Sequence, residues 1–257
     1  MRTVISSTLK ILFVAVVLLA LSACEKKGYP DAPEGYNYRT LQVAWTLEGT
    51  TAGTQELFIE TSGYENGALV FKRVAMRADV EKLHQAKPGE TIKNKVWFFN
   101  LEGRHHTIVD PLNMAVISLV EIPPLMRMQR SAVWRKIMEY LIRREDLTQE
   151  QREELQKKVY SISDDELRAY GAEVKEAEFL GRKVKYFNVP IADGKAELWM
   201  YGDIPVKFNL ESKWLGKSVR TYMEATTFIV NKKLPEEPFK IPEKMRVVDQ
   251  TKPIPEQ

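Results

Sequence analysis

The strongest constraint on this chain lies between Gly181 and Pro242. There it reads GRKVKYFNV, then KAELWMYGDIPVKFNLES, then KSVRTYMEATTFIVN, then EEPFKIPEKM. Val206, Phe208 and Leu210 alternate with Lys207, Asn209 and Glu211. A period of two puts one strand face on a core and the other in water. Gly202-Asp203 turns the chain out of the preceding strand, Ala196–Tyr201. Val219, Met223, Ala225 and Ile229 share a face of the next, opposite Arg220, Tyr222 and Glu224. Three consecutive antiparallel strands form a meander, whose apolar face requires a cover. The rest of the chain has to supply it.

With 257 residues the chain can bury a substantial core. Its 44% hydrophobic and 28% charged residues are a globular composition. Removing residues 1–23 takes away Arg2 and Lys10 and no acid, which lowers the formal net charge from +3 to +1. Near-neutrality, with no basic stripe interleaved with stacking aromatics, argues against a nucleic-acid partner.

At the N-terminus, Arg2 and Lys10 flank the unbroken apolar run Ile11–Leu21, which is shorter than the roughly 20 residues of an ordinary membrane-spanning helix. It ends at Leu21-Ser22-Ala23-Cys24, which resembles the lipobox of bacterial lipoproteins. That resemblance implies a signal peptide over 1–23, cleavage after Ala23, and a Cys24 carrying a diacylglyceryl thioether and an N-acyl chain such as palmitate. The alternative is a plain secretory signal with an incidental cysteine. Cys24 is the only cysteine, so no disulfide can form within the chain. Glu25, rather than Asp, follows it, and for a lipoprotein of the Gram-negative kind that it resembles this implies the outer membrane and its periplasmic face. The polar stretch 24–37, with Gly28, Pro30, Pro33 and Gly35, is expected to be a flexible tether. A single domain over 38–248 and a disordered tail over 249–257 complete the expected organisation.

Strands are expected over Tyr38–Glu48, Gln55–Thr61, Ala68–Ala78, Ile92–Leu101 and His105–Val109, the third of them open to a helical reading. Leu112–Glu121 is an apolar run ended by Pro123-Pro124. Between Leu125 and Arg144, Met126, Val133, Trp134, Ile137, Met138, Leu141 and Ile142 fall at helical spacing. Thr148 with Gln151 is a capping box for a helix over Gln149–Tyr160, and Ser163 with Glu166 caps a further turn to Tyr170. The two β blocks are expected to form one antiparallel sheet, with the helices laid on its concave face.

Catalytic motifs are missing from the sequence: no Gly-x-Ser-x-Gly, no phosphate loop and no His-Glu-x-x-His. His105 and His106 are adjacent on a strand, so they point to opposite faces and cannot readily share a metal with Asp110. Asp164-Asp165-Glu166 sits at a helix start, where the macrodipole favours acids, and calcium there is the alternative. Trp97, Phe99, Trp199 and Tyr201 are candidates for an aromatic binding wall or for plain packing. The cations of the helix, Arg127, Arg130, Arg135, Lys136, Arg143 and Arg144, suit either anionic head groups or solvent. No catalytic residue, metal ligand or cofactor is assigned.

The whole pattern resembles the lipoprotein-carrier group of envelope proteins. AELWMYGDIPVKFNLES is similar to the group's motif in which Trp199 precedes a turn and Ile204-Pro205-Val206-Lys207 restarts the next strand. PEEPFKIPEKMRVV is similar to its closing motif, with Phe239 and Ile241-Pro242 docking the last segment. The N-terminal half matches in architecture alone. The resemblance implies an α+β fold, an antiparallel incomplete β-barrel wrapped around inserted helices, with an apolar cavity for an acyl chain or phospholipid. Trp134, Ile137, Leu141, Leu198, Met200, Val206, Phe208 and Leu210 are the candidate lining. The role expected is that of a non-enzymatic lipid carrier, acceptor or chaperone. The alternative is an envelope assembly module with a filled core and a protein partner.

Overall fold

The computed structural model describes the backbone of residues 28–83, 91–101, 105–110, 115–120, 125–158, 162–214, 216–240 and 246–249, and side chains within 28–81, 133–158, 162–213 and 216–240. Twelve strands lie in one sheet: β1 (Thr40–Gly49), β2 (Thr51–Glu65), β3 (Ala68–Leu83), β4 (Thr91–Leu101), β5 (His105–Asp110), β6 (Ala115–Val120), β7 (Glu173–Phe179), β8 (Arg182–Ile191), β9 (Gly194–Tyr201), β10 (Ile204–Trp214), β11 (Lys217–Val230) and β12 (Arg246–Asp249). Among the described residues, three helices stand between β6 and β7: α1 (Leu125–Leu141), α2 (Gln149–Lys157) and α3 (Asp164–Ala169).

Two meanders, β1–β6 and β7–β11, join where β1 pairs antiparallel with β11 from Leu41↔Val230 to Gly49↔Thr221. The strand order runs from β12 at one end to β7 at the other, so the sheet is open, an incomplete barrel. Among the described strands every pairing is antiparallel except that of β12 with β6. Tight hairpins set the registers. Between β2 and β3, Asn66 and Gly67 both have positive φ, 51° and 79°, and Glu65 faces Ala68. Two central residues of that kind match the right-handed twist of the strands they join, which fixes the pairing.

The apolar side chains form two packed bodies. One gathers Leu41, Val43 and Trp45 of β1, Leu57 and Ile59 of β2, and Val74 and Met76 of β3 with Tyr201, Ile204 and Val206. The other holds Trp134, Ile137, Met138 and Leu141 of α1 and Leu155 and Leu167 of α2 and α3 against Phe187, Val189, Leu198, Met200, Phe208 and Leu210. Partly buried Met223 touches both. The helices therefore cover the β8–β10 region of the sheet. Both capping boxes form, Thr148 with Gln151 and Ser163 with Glu166, each satisfying donors the first turn would leave unpaired.

The run Leu112–Glu121, to which the sequence assigned no element, contains a sheet strand, β6. Its near-continuous apolar character suits a strand as well as a helix. Two expectations need correction. The last segment supplies a twelfth strand, so Asp249, expected in the tail, ends β12. The stretch expected to stand off as a tether is packed on the domain from Gly28 onward. Tyr29 and Tyr36 lie against the first core body, and the Tyr29 hydroxyl meets Thr61 Oγ1 at 3.0 Å. Gly35 (φ 92°) and Gly202 (φ 55°) sit back to back, and a Cβ on Gly35 would lie 2.5 Å from the Gly202 nitrogen. Glycine there is a docking contact, not a sign of flexibility. Cys24, the Ile241-Pro242 pair and residues 250–257 lie outside the described residues.

Candidate binding cleft

The eight residues expected to line a cavity are all between 0% and 5% exposed. Seven interlock between α1 and the sheet. Val206 does not join them. The register slips between Pro205 and Lys207, leaving Val206 without a partner on β9, and it packs with Trp45, Tyr201 and Ile204 instead. The Trp45 indole Nε1 donates to the Pro205 carbonyl at 2.8 Å, pinning this bulge from two strands away. A bulge bends its strand and redirects side chains, which strict alternation cannot anticipate.

Open space lies beside this interface. A cleft of about 420 Å³ is bounded by Trp134 of α1, Asp164 at the start of α3, Glu176 of β7, Lys183, Val184, Lys185 and Phe187 of β8, Met200 of β9, Gly202 and the docked segment's Glu34 and Tyr36. Of the eight expected residues, Trp134 and Met200 reach it. Trp134 stands edge-on to Phe187 at 5.2 Å between centroids, and its buried indole Nε1 has no acceptor among the described residues. The rim is charged. Lys185 Nζ pairs with Asp164 Oδ2 at 2.7 Å, linking sheet to helix. Glu34, Glu176 and Lys183 complete a mixed acidic and basic rim.

The acidic triple opening α3 is bound to the protein's own cations. Asp164 holds Lys185, Asp165 holds Arg168 at 2.7 Å, and Glu166 holds Lys158 at 2.5 Å. The Lys158 hydrogen bond and those from Ser163 hold the Glu166 carboxyl down at about 2, far below the usual range. Among the described residues no group of three or more potential metal ligands occurs. The side chains of His105, His106 and Asp110 lie outside them.

The basic residues on α1 and in the turn that follows it, which holds Arg143 and Arg144, are partly engaged in structure. Arg144 donates to the Tyr170 carbonyl at 2.5 Å and pairs with Asp146, tying the end of α1 to α3. Lys136 and Arg143 lie over the Tyr140 ring, at 5.4 and 5.1 Å. Arg135 is exposed, and the side chains of Arg127 and Arg130 are outside the described set. Two members of the proposed aromatic wall are described, both on β9 and both against the first core body: Trp199 lies tilted against Tyr186 at 4.7 Å with Lys207 over it at 5.3 Å, and Tyr201 packs on Phe228 at 5.0 Å and Tyr38 at 6.3 Å. The side chains of Trp97 and Phe99 are not among those described.

Sequence reasoning missed Phe187, Lys183, Lys185, Glu176 and the Glu34–Tyr36 segment. The alternation in GRKVKYFNV was the available signal, since it places Lys183 and Lys185 together on one face of β8.

No protein-family model and no curated protein matches this chain. Solved structures do show likeness. An uncharacterised conserved protein from Thermus thermophilus aligns at 10% identity and a TM-score of 0.38, covering 83% of this chain and 91% of that one. MucB aligns at 13% identity and 0.35, covering 82% and 60%. The Pseudomonas aeruginosa MucA/MucB complex aligns at 14% and 0.36, covering 81% and 58%. With TM-scores this low, none of these structures bears on what the present chain binds. Among the described residues no helix is long and apolar enough to cross a membrane.

Proposed function

We propose that this chain is a lipid-anchored periplasmic lipoprotein that binds a segment of an envelope protein partner in the cleft beside α1. The anchor is Cys24, and the membrane is the outer one. The observation that carries the partner reading is the filled interface between helices and sheet. Ile137, Leu141, Leu198 and Leu210 are 0% exposed, so the space an acyl chain requires is occupied by side chains. The open volume has instead an apolar floor, Trp134, Phe187 and Met200, under a rim of both charges. That combination suits a peptide, whose side chains fill the floor and whose carbonyls and charges meet the rim.

A photo-crosslinking amino acid at Glu176, in the intact envelope, tests this. The expected result is a discrete protein adduct that disappears when Lys183 and Lys185 are replaced by Glu. The same adduct from a crosslinker at exposed Lys217, or none from Glu176, would overturn the cleft as the site. The second reading, an acyl-chain or phospholipid carrier, is favoured by one feature, the volume of about 420 Å³ lined by the apolar side chains of Trp134, Val184, Phe187 and Met200. Saturable displacement of a fluorescent fatty acid, abolished by Met200→Glu, would establish it in place of the first.

A further inference from the structure

We propose that the end of the sheet bearing Arg39, Lys72, Lys232 and Lys233 is a membrane-contacting surface that seats on anionic phospholipid head groups. The inference rests on the lipid-anchor reading of Cys24 and adds to it a second contact made by the folded domain. Geometry supplies the first argument. The chain meets the domain at Gly28, where a Cβ would collide with Asn37, and Tyr29 is fixed there by Thr61 and by the Arg39 guanidinium over its ring at 4.9 Å. Only four residue steps separate Cys24 from Gly28, a reach of about 14 Å at full extension. A lipidated Cys24 therefore holds this end of the sheet, and no other, close to the bilayer.

Charge supplies the second argument. Arg39 and Lys72 are exposed and border a shallow hollow whose other walls are Glu60, Thr61 and Ser62. Lys232 and Lys233 follow the end of β11, and the Lys232 carbonyl accepts from Thr40 Oγ1 at 2.6 Å, which places them beside Arg39. Both are exposed. Among the described residues, the nearby acids are as follows. Glu60 is shared by Arg73 at 2.6 Å and Lys72 at 3.4 Å, Glu236 is taken by Arg73 at 2.6 Å, and Asp31 is exposed. Basic side chains within a Debye length, about 10 Å, of an anionic leaflet are attracted to it, and an acyl anchor reinforced by such a patch binds more firmly than either alone.

The test uses the mature chain, residues 24–257, with Cys24→Ser so that no acyl group contributes. It is sedimented with phosphatidylcholine vesicles, with or without one third phosphatidylglycerol. The expected result is binding to the anionic vesicles alone, lost at high salt. Arg39→Gln, Lys72→Gln, Lys232→Gln and Lys233→Gln together should weaken it at least tenfold. Lys195→Gln, Lys213→Gln, Lys217→Gln and Arg220→Gln, elsewhere on the sheet, should leave it unchanged. Equal losses from the two sets, or no preference for phosphatidylglycerol, would overturn the proposal. Thermal melting of both variants confirms that each is folded. The mass of the wild-type chain purified from a Gram-negative envelope tests the anchor separately. An unmodified Cys24 would remove the anchor, and the vesicle result would still decide whether the surface binds lipid.

Discussion

Trp45 is 1% exposed, and its indole is the donor that fastens the bulge in β10 through the Pro205 carbonyl. Trp45→Phe keeps most of the ring's packing and leaves that buried carbonyl unsatisfied. A loss of about 1–3 kcal/mol in urea unfolding is expected, with the denaturant slope unchanged. Phe239 makes a different contact. It packs on Phe58 edge-on at 6.3 Å and beneath the Arg73 guanidinium at 4.1 Å, while Arg73 and Arg77 hold Glu236 and Glu237. The closing motif thus docks on β2 and β3 through Phe239, as its resemblance implied. Phe239→Ala should cost about 3 kcal/mol, and Glu236→Gln much less, because that ion pair is exposed to solvent. At Glu166 the folded carboxyl titrates at about 2, below its ordinary range near 4.5. A carboxyl held down in the fold stabilises above its unfolded value and loses that contribution as pH falls towards 2. Thermal melts between pH 6 and pH 2 should therefore decline less steeply for Glu166→Gln than for the wild type. Parallel declines would contradict the role of this capping carboxylate.

At the scale of elements, α1 decides how the molecule closes. Its Ile137 and Leu141 sit fully buried on β8–β10, and the Tyr140 carbonyl accepts from the Ala192 nitrogen at 3.1 Å in the β8–β9 turn. Leu141→Ala should destabilise by about 2–5 kcal/mol, read by chemical denaturation. If α1 instead roofed an empty lipid cavity, the same substitution would cost little. The helices themselves were readable in the sequence, because Thr148-Gln151 and Ser163-Glu166 state their starts and a spacing of 3.6 states the buried face of α1. The strands of the second meander were readable too, from period two. Less was legible where a signal is local in space but not in sequence. Val206 shares its parity with Phe208 and Leu210, and a single unpaired residue at Pro205–Lys207 sends it to the other core body. Residues 28–37 read as a tether because proline and glycine mark turns equally in linkers and in docked segments. Gly35 requires the facing Gly202 to reveal its purpose, 167 positions away in the chain and in contact in the fold.

For the whole molecule, the economical packing of two β blocks into one sheet is what forms, closed at its middle by β1 against β11. Open ends at β7 and β12 make it an incomplete barrel, and the cleft lies at the β7 end, where α3, β8 and the docked N-terminal segment converge. The candidate site was thus half visible. Trp134 and Met200 were named from apolar periodicity, whereas the charged rim belongs to positions that alternation assigns to solvent. What turns on this distinction is whether the volume between helices and sheet is occupied by side chains or by lipid. Native mass spectrometry of the mature Cys24→Ser chain, exported to a bacterial periplasm and sprayed under gentle conditions, tests it most directly. A filled core predicts the mass of the bare polypeptide. A stoichiometric added mass in the range of a fatty acid or phospholipid, lost on organic extraction, would contradict it.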